Sequence, residues 1–138
     1  MGLTVIDAGV LIGFLDAADG HNEASLQAFG DARDRQDRVV IAASAFAEAL
    51  VAPSRAGADA VADVRGFVDH FPVEVVPLDE EIAVVAAGLR GQHAGKLKLP
   101  DALVVATAMH LGADVVVTTD RGWPTRKALG LTAVLIIL

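Results

Sequence analysis

Four acidic residues, Asp7, Glu48, Asp101 and Asp120, stand where carboxylates could work together. Asp7 closes the run Leu3-Thr4-Val5-Ile6-Asp7, and Asp120 closes Val115-Val116-Val117-Thr118-Thr119-Asp120, so each follows a short β-branched segment of strand character. Asp101 stands with Pro100 just ahead of an almost wholly apolar segment of helical length, and Glu48 lies in an Ala-rich segment that follows Arg38-Val39-Val40-Ile41-Ala42. Two carboxylates about 4 Å apart repel by about 1 kcal/mol in bulk water and about 4 kcal/mol at an effective dielectric of 20. A cluster of four therefore needs protons or cations. All-oxygen donors select hard divalent ions such as Mg²⁺ or Mn²⁺. Ions so held can lower the pKa of a bound water, align it with a phosphodiester and stabilise the departing oxygen, which is hydrolysis without a histidine base.

The elements that must gather these acids alternate between strand and helix. Strands are expected at Leu3 to Ile6, Arg38 to Ala42, Val73 to Val76, Val115 onward, and Thr132 to Ile137. Between them, Val10, Leu11, Phe14 and Leu15 recur at helical spacing, and a helix starting near His21 or Asn22 carries Leu26, Phe29 and Ala32 inward. Ser44 is the expected N-cap of the next helix, with Phe46, Ala49 and Leu50 on its apolar side and Pro53 stopping or bending it. After Gly57, the stripe Val61, Val64, Phe67, Val68 and Phe71 is the clearest amphipathic pattern, and Pro72 ends it. Asp79, Glu80 and Glu81 sit where acids favour a helix start, ahead of Ile82, Val85, Ala86 and Leu89; Gly91 and Gly95 then loosen the chain up to Leu99. This order predicts one α/β domain over residues 1–138, a parallel sheet of about five strands with helices on both faces. Such sheets bind ligands beyond the carboxyl ends of their strands, where strand order reverses. If the first and fourth strands meet there, Asp7 and Asp120 emerge side by side. The helices that Asp101 and Glu48 begin would bring those two acids to the same edge.

Composition narrows the chemistry. The chain is 54% apolar with few aromatic residues, so its interior must be Ala, Val, Leu and Ile. Cysteine is absent, which excludes disulfides and thiolate metal sites and suits a reducing compartment. Neither a signal peptide nor an apolar stretch near the roughly 18 residues of a membrane span is visible, so a soluble cytoplasmic protein without membrane partners is expected. The net charge of −7 disfavours a broad basic face for nucleic acid, and four clustered acids would account for more than half of it. Six of the eleven basic residues, Arg90, Lys96, Lys98, Arg121, Arg126 and Lys127, flank Asp101 and Asp120, where they either hold phosphates or are simply solvated. His21, His70, His93 and His110 lack paired ligand spacing, so zinc is not expected. Trp123 could stack on an unpaired base or pack its loop. Asp16 and Asp19 read as the solvated end of the first helix.

Taken in order, Val5-Ile6-Asp7, Glu48 on its Ala-rich segment, Leu99-Pro100-Asp101-Ala102 with Ala106, and Val116-Val117-Thr118-Thr119-Asp120 resemble a PIN domain of the VapC-type toxin ribonucleases over nearly the whole chain. The resemblance implies a three-layer α/β/α sandwich and, as its activity, Mg²⁺- or Mn²⁺-dependent endonucleolytic cleavage of RNA by a metal-activated water. It implies a type II toxin acting as a homodimer and silenced by a cognate antitoxin, whose Arg or Lys would enter the acidic rim. Asp7, Glu48, Asp101 and Asp120 match the family's metal-binding acids, and Thr118 matches a hydroxyl commonly placed two before the last of them. One departure stands out: the family usually has Ser, Thr or Asn just after its first aspartate, and here Ala8 and Gly9 occupy those places. Gly9 supports the alternative of a degenerate domain that binds RNA or a partner without cutting. Aspartyl-phosphate chemistry, as in dehalogenase-like phosphatases, would need a second aspartate where Gly9 stands.

Overall fold

Runs of Val and Ile without polar alternation make strands covered on both faces, and the centre of this sheet is built from such runs. The computed structural model describes residues 1–138. Its strands are β1 (Leu3–Ile6), β2 (Arg38–Ala42), β3 (Val73–Val76), β4 (Val115–Thr118) and β5 (Val134–Ile137). They form one all-parallel sheet in the order β3-β2-β1-β4-β5. The helices are α1 (Ala8–Leu15), α2 (Asn22–Asp34), α3 (Ala43–Ala56), α4 (Ala58–His70), α5 (Glu80–Gln92), α6 (Leu99–Leu111) and α7 (Arg126–Leu129). They flank the sheet as the outer layers of the expected α/β/α sandwich. Val5, Ile6, Val40, Ile41, Val116 and Val117 are each at most 2% exposed, and burial of such a side chain contributes about 1.5–3 kcal/mol. The edge strands β3 and β5 are more open, and β5 begins at Val134, later than the apolar run from Thr132 suggests.

The chain builds outward from β1 to β2 and β3 on one side, then crosses back through α5 and α6 to add β4 and β5 on the other. Strand order therefore reverses between β1 and β4. Their register pairs Val5 with Val116 and Ile6 with Val117, and the Asp7 N–H donates to the Val117 carbonyl at 3.1 Å. At the opposite, amino-terminal edge the buried Thr4 hydroxyl donates to Asp37 at 2.8 Å, and Arg35 Nε donates to the same carboxylate at 2.9 Å. Burial opposes ionisation there, but the Arg35 and Thr4 bonds prevail and hold the Asp37 carboxyl below its usual range.

Three local expectations are corrected. Ser44 is not the cap of α3: β2 runs straight into the helix, Ala42 takes the N-cap position, and the hydroxyl of Ser44, the second residue of the helix, lies buried without a partner. Of the two outcomes expected at Pro53, stopping is excluded, since α3 runs on through it to Ala56. The break comes at Gly57, whose φ of 127° no helix accommodates. Leu26 does not turn inward; it is 47% exposed and lines a groove of about 490 Å³ with Phe14, Phe29 and Phe71 at the amino ends of β2 and β3. No helix is long and apolar enough to cross a membrane.

Candidate active site

Asp7 ends β1 and caps α1 in the same step. Its extended backbone (ψ 176°) turns the chain into the helix, and its Oδ1 accepts from the Val10 N–H at 3.1 Å. Its other oxygen accepts from the Thr118 hydroxyl, which is fully buried at the end of β4 and itself accepts from the Asp120 N–H at 3.0 Å. Thr118 thus ties together the two aspartates at the reversal point. Asp120 Oδ1 accepts from the Gly122 N–H at 2.7 Å, which shapes the loop beyond the strand.

Asp101 lies in the first turn of α6, after Lys98 at the N-cap and Pro100 in the turn, where a carboxylate complements the helix dipole. Glu48 is on α3, one turn beyond its start. The four acids act on one another electrostatically. Burial first, then the charge of Asp120, pushes the Asp101 carboxyl up to about 6, and Asp7 and Glu48 add to the effect. Burial also raises Asp7, with Asp120 adding to it, against the hydrogen bonds from Thr118 and the nearby amides of Val10 and Thr119. Glu48 is exposed as a residue, yet partial burial of its carboxyl and the Asp7 charge raise it as well. The structure therefore brings Asp101 within electrostatic range of the other three acids, and Asp7 within range of Asp120 and Glu48.

None of them is in an ion pair; those pairs lie elsewhere, at Asp19, Asp37, Glu74, Asp79 and Glu81. Nor do any three of them bring oxygens within 4.8 Å of one another. Such a rim, all oxygen, unpaired and open, fits a hard divalent ion that keeps part of its water shell. Asp37, bonded to Arg35 and Thr4, is pulled down despite its burial; Asp7, Glu48 and Asp101, which have no basic partner to offset burial, are pushed up.

The flanking residues divide. Arg90 donates to the Ala94 carbonyl at 2.7 Å, and Arg126 donates to the Leu131 and Thr132 carbonyls, so both brace loops. Lys96, Lys98, Arg121 and Lys127 are exposed. Trp123 is 6% exposed and belongs to the hydrophobic core, so it packs its loop and offers no face for stacking. Its indole N–H, buried without a well-formed hydrogen bond, lies near enough to Asp101 to favour the ionised carboxyl. Sequence reasoning missed this contact, since nothing local to Trp123 points to a partner 22 positions away. It also missed a meeting of Asp79, Glu81 and His110, where the start of α5 packs against the end of α6 and ligand atoms lie within 4.8 Å. All three side chains are exposed, and Asp79 already caps α5 by accepting from the Ile82 N–H at 2.9 Å.

Thr118 gives this arrangement a direct test. Thr118→Val keeps the shape but leaves Asp7 without its hydroxyl donor and the Asp120 amide unpaired. Chemical denaturation is expected to register a loss of about 1.5–3 kcal/mol, the range for hydrogen bonds to charged groups. The Asp7 titration followed by NMR should move further upward, because the lost bond was lowering it. A variant as stable as the parent would show that the bridge contributes nothing.

Comparison with solved structures finds the same fold at low identity. The Mycobacterium tuberculosis VapC20 toxin, described as cleaving the sarcin-ricin loop, matches with TM-score 0.68 and 14% identity over 82% of this chain and 86% of that one. VapBC2 from Rickettsia felis, bound to a promoter DNA fragment, matches with TM-score 0.66 and 14% identity over 96% of both chains. A toxin-antitoxin complex from Klebsiella pneumoniae matches with TM-score 0.65 and 21% identity, over 88% of this chain and 96% of that one. Comparison with curated protein sequences gives no significant match. The family model for the PIN domain matches residues 4–128, nearly the entire chain that carries the sheet and its acidic rim, and the protein belongs to the PIN domain family.

Proposed function

We propose that the protein is a Mg²⁺- or Mn²⁺-dependent endoribonuclease, the toxin of a type II toxin-antitoxin pair, with Asp7, Glu48, Asp101 and Asp120 as its metal ligands. The observation that carries this reading is the rim itself: four acids from four separate segments, without a basic partner, raising one another's need for a cation. A divalent ion held there would supply charge neutralisation at the phosphate and lower the pKa of the attacking water. The chain's own residues do the positioning. Thr118 and the Val10 amide fix the two oxygens of Asp7, the first turn of α6 presents Asp101, and the Trp123 indole backs it. Lys96, Lys98 and Arg121, exposed and close in sequence to Asp101 and Asp120, serve as contacts for RNA phosphates, while Arg90 braces the loop that carries Lys96 through the Ala94 carbonyl. The likeness to toxin-antitoxin complexes supports a cognate antitoxin as partner, with a basic antitoxin side chain entering the rim in place of the cation, and the toxin acts as a homodimer in this proposal.

Incubation of the purified protein with total cellular RNA, with and without Mg²⁺ or Mn²⁺, tests the proposal. New ends are expected only with the ion. Because water and not the ribose 2′-hydroxyl attacks, those ends should carry no 2′,3′-cyclic phosphate. Cleavage that persists in EDTA, or none under any ion, would overturn it. The non-cleaving alternative predicts RNA retention without new ends and little or no heat of Mg²⁺ binding.

A further inference from the structure

Gly9 occupies the second residue of α1, two after Asp7, a helix position where glycine is disfavoured relative to alanine. Its reason lies across the sheet. A Cβ built on Gly9 would overlap the Thr119 Oγ1 and would crowd the Thr119 Cβ and Cγ2 at 3.2 and 3.3 Å. The hydroxyl of Thr119 thus fills the space a side chain at position 9 would occupy. Thr119 immediately follows Thr118, precedes Asp120, and has its own amide close enough to Asp7 to favour the ionised carboxylate. The residue is half-buried, and its hydroxyl enters none of the chain's own hydrogen bonds, whereas that of Thr118 is committed to Asp7 and the Asp120 amide.

Resting on the metal-site reading above, we propose that Thr119 is a positioning residue for the cation held by the acidic rim, its hydroxyl, uncommitted within the chain and admitted by Gly9 to the space a residue-9 side chain would fill, hydrogen-bonding the water shell that the ion retains. The departure from the family pattern after Asp7 is then a relocation of the hydroxyl from α1 to the end of β4. Groups that orient ligands without binding the ion typically change metal affinity by about 10–100-fold when removed.

The test uses the full chain and reads Mn²⁺ binding by calorimetry, with the metal-free melting temperature as a fold control. Thr119→Val, which keeps the bulk and deletes the hydroxyl, is expected to weaken Mn²⁺ binding by about tenfold or more with little change in metal-free melting. Thr119→Ser should bind like the parent. Gly9→Ser alone should weaken binding, because two side chains then compete for one space, and Gly9→Ser combined with Thr119→Ala should bind more tightly than Thr119→Ala alone. Parent-like binding by Thr119→Val, or a double variant no better than Thr119→Ala, overturns the proposal even if the parent binds Mn²⁺ and cuts RNA. A parent that binds no divalent ion overturns the metal-site reading first and this inference with it.

Discussion

Asp101→Asn is expected to abolish divalent-dependent RNA cleavage, lowering the rate by at least about 10³-fold, and Asp7→Asn is expected to do the same. The magnitude follows from the several kcal/mol of charge stabilisation that a well-held divalent ion supplies, at about 1.4 kcal/mol per factor of ten. Each substitution leaves the local structure intact for a stated reason. Asparagine is as good an N-cap as aspartate: its amide oxygen can still accept from the Val10 N–H, so α1 begins where it does, and its NH2 group, which cannot accept, faces the Thr118 hydroxyl as a donor instead. Residue 101 makes no hydrogen bond that closes α6, whose start rests on the Ala102 N–H donating to the Lys98 carbonyl at 2.9 Å. Circular dichroism should therefore match the parent while new RNA ends vanish. Parent-level cleavage by either variant would remove the four acids from the chemistry.

The second large effect concerns stability without metal. The folded Asp101 carboxyl is raised from 3.8 to about 6, so between those values the folded chain holds a proton that the unfolded chain releases. The sign is then fixed. This group's contribution is fully present below about pH 3.8 and is lost as pH rises through about 6, and the raised Asp7 and Glu48 act in the same direction. The Asp101 shift corresponds to about 3 kcal/mol at face value, and the half-open carboxyl is screened by solvent, which reduces it to about 1–2 kcal/mol. Asp37 runs the other way: its carboxyl is lowered, so its contribution is present above 3.8 and lost only as pH falls below that. In EDTA the parent should lose stability from about pH 4 to pH 7. Asp101→Asn, which cannot ionise, should melt about 3–6 °C higher than the parent near pH 7.5. Saturating Mg²⁺ should reverse the order, since an ion at a hundred times its dissociation constant adds about 2.7 kcal/mol to the form that binds it. An Asp101→Asn protein that melts below the parent in EDTA would mean that the acids are not in conflict in the empty fold.

Much of this was legible before any coordinates. The short β-branched runs at β1, β2 and β4 read as doubly covered strands, and the rule that helices return antiparallel to a parallel sheet sufficed to bring Asp101 and Glu48 to the edge where Asp7 and Asp120 end. What stayed hidden depends on neighbours distant in the chain. Ser44 carries a good capping side chain, but β2 leaves it no turn in which to cap. Leu26 follows the helical period, yet α2 lies over the amino ends of β2 and β3, where the groove leaves that side chain half open. Gly9 was visible as a departure; that Thr119 fills its space could not be read without knowing the register of β1 against β4. Trp123 was ambiguous between stacking and packing because only burial decides between them.

The hydrogen bond from Thr118 to Asp7 joins residues 111 positions apart, and the last of the four acids lies beyond it. A polypeptide made from its amino end displays Asp7 early, but Asp120 follows only after β1, β2, β3 and β4 have all been made. Until β4 inserts beside β1, a nascent copy carries no assembled rim of four acids, so whatever these carboxylates do together begins only once the strand order has reversed.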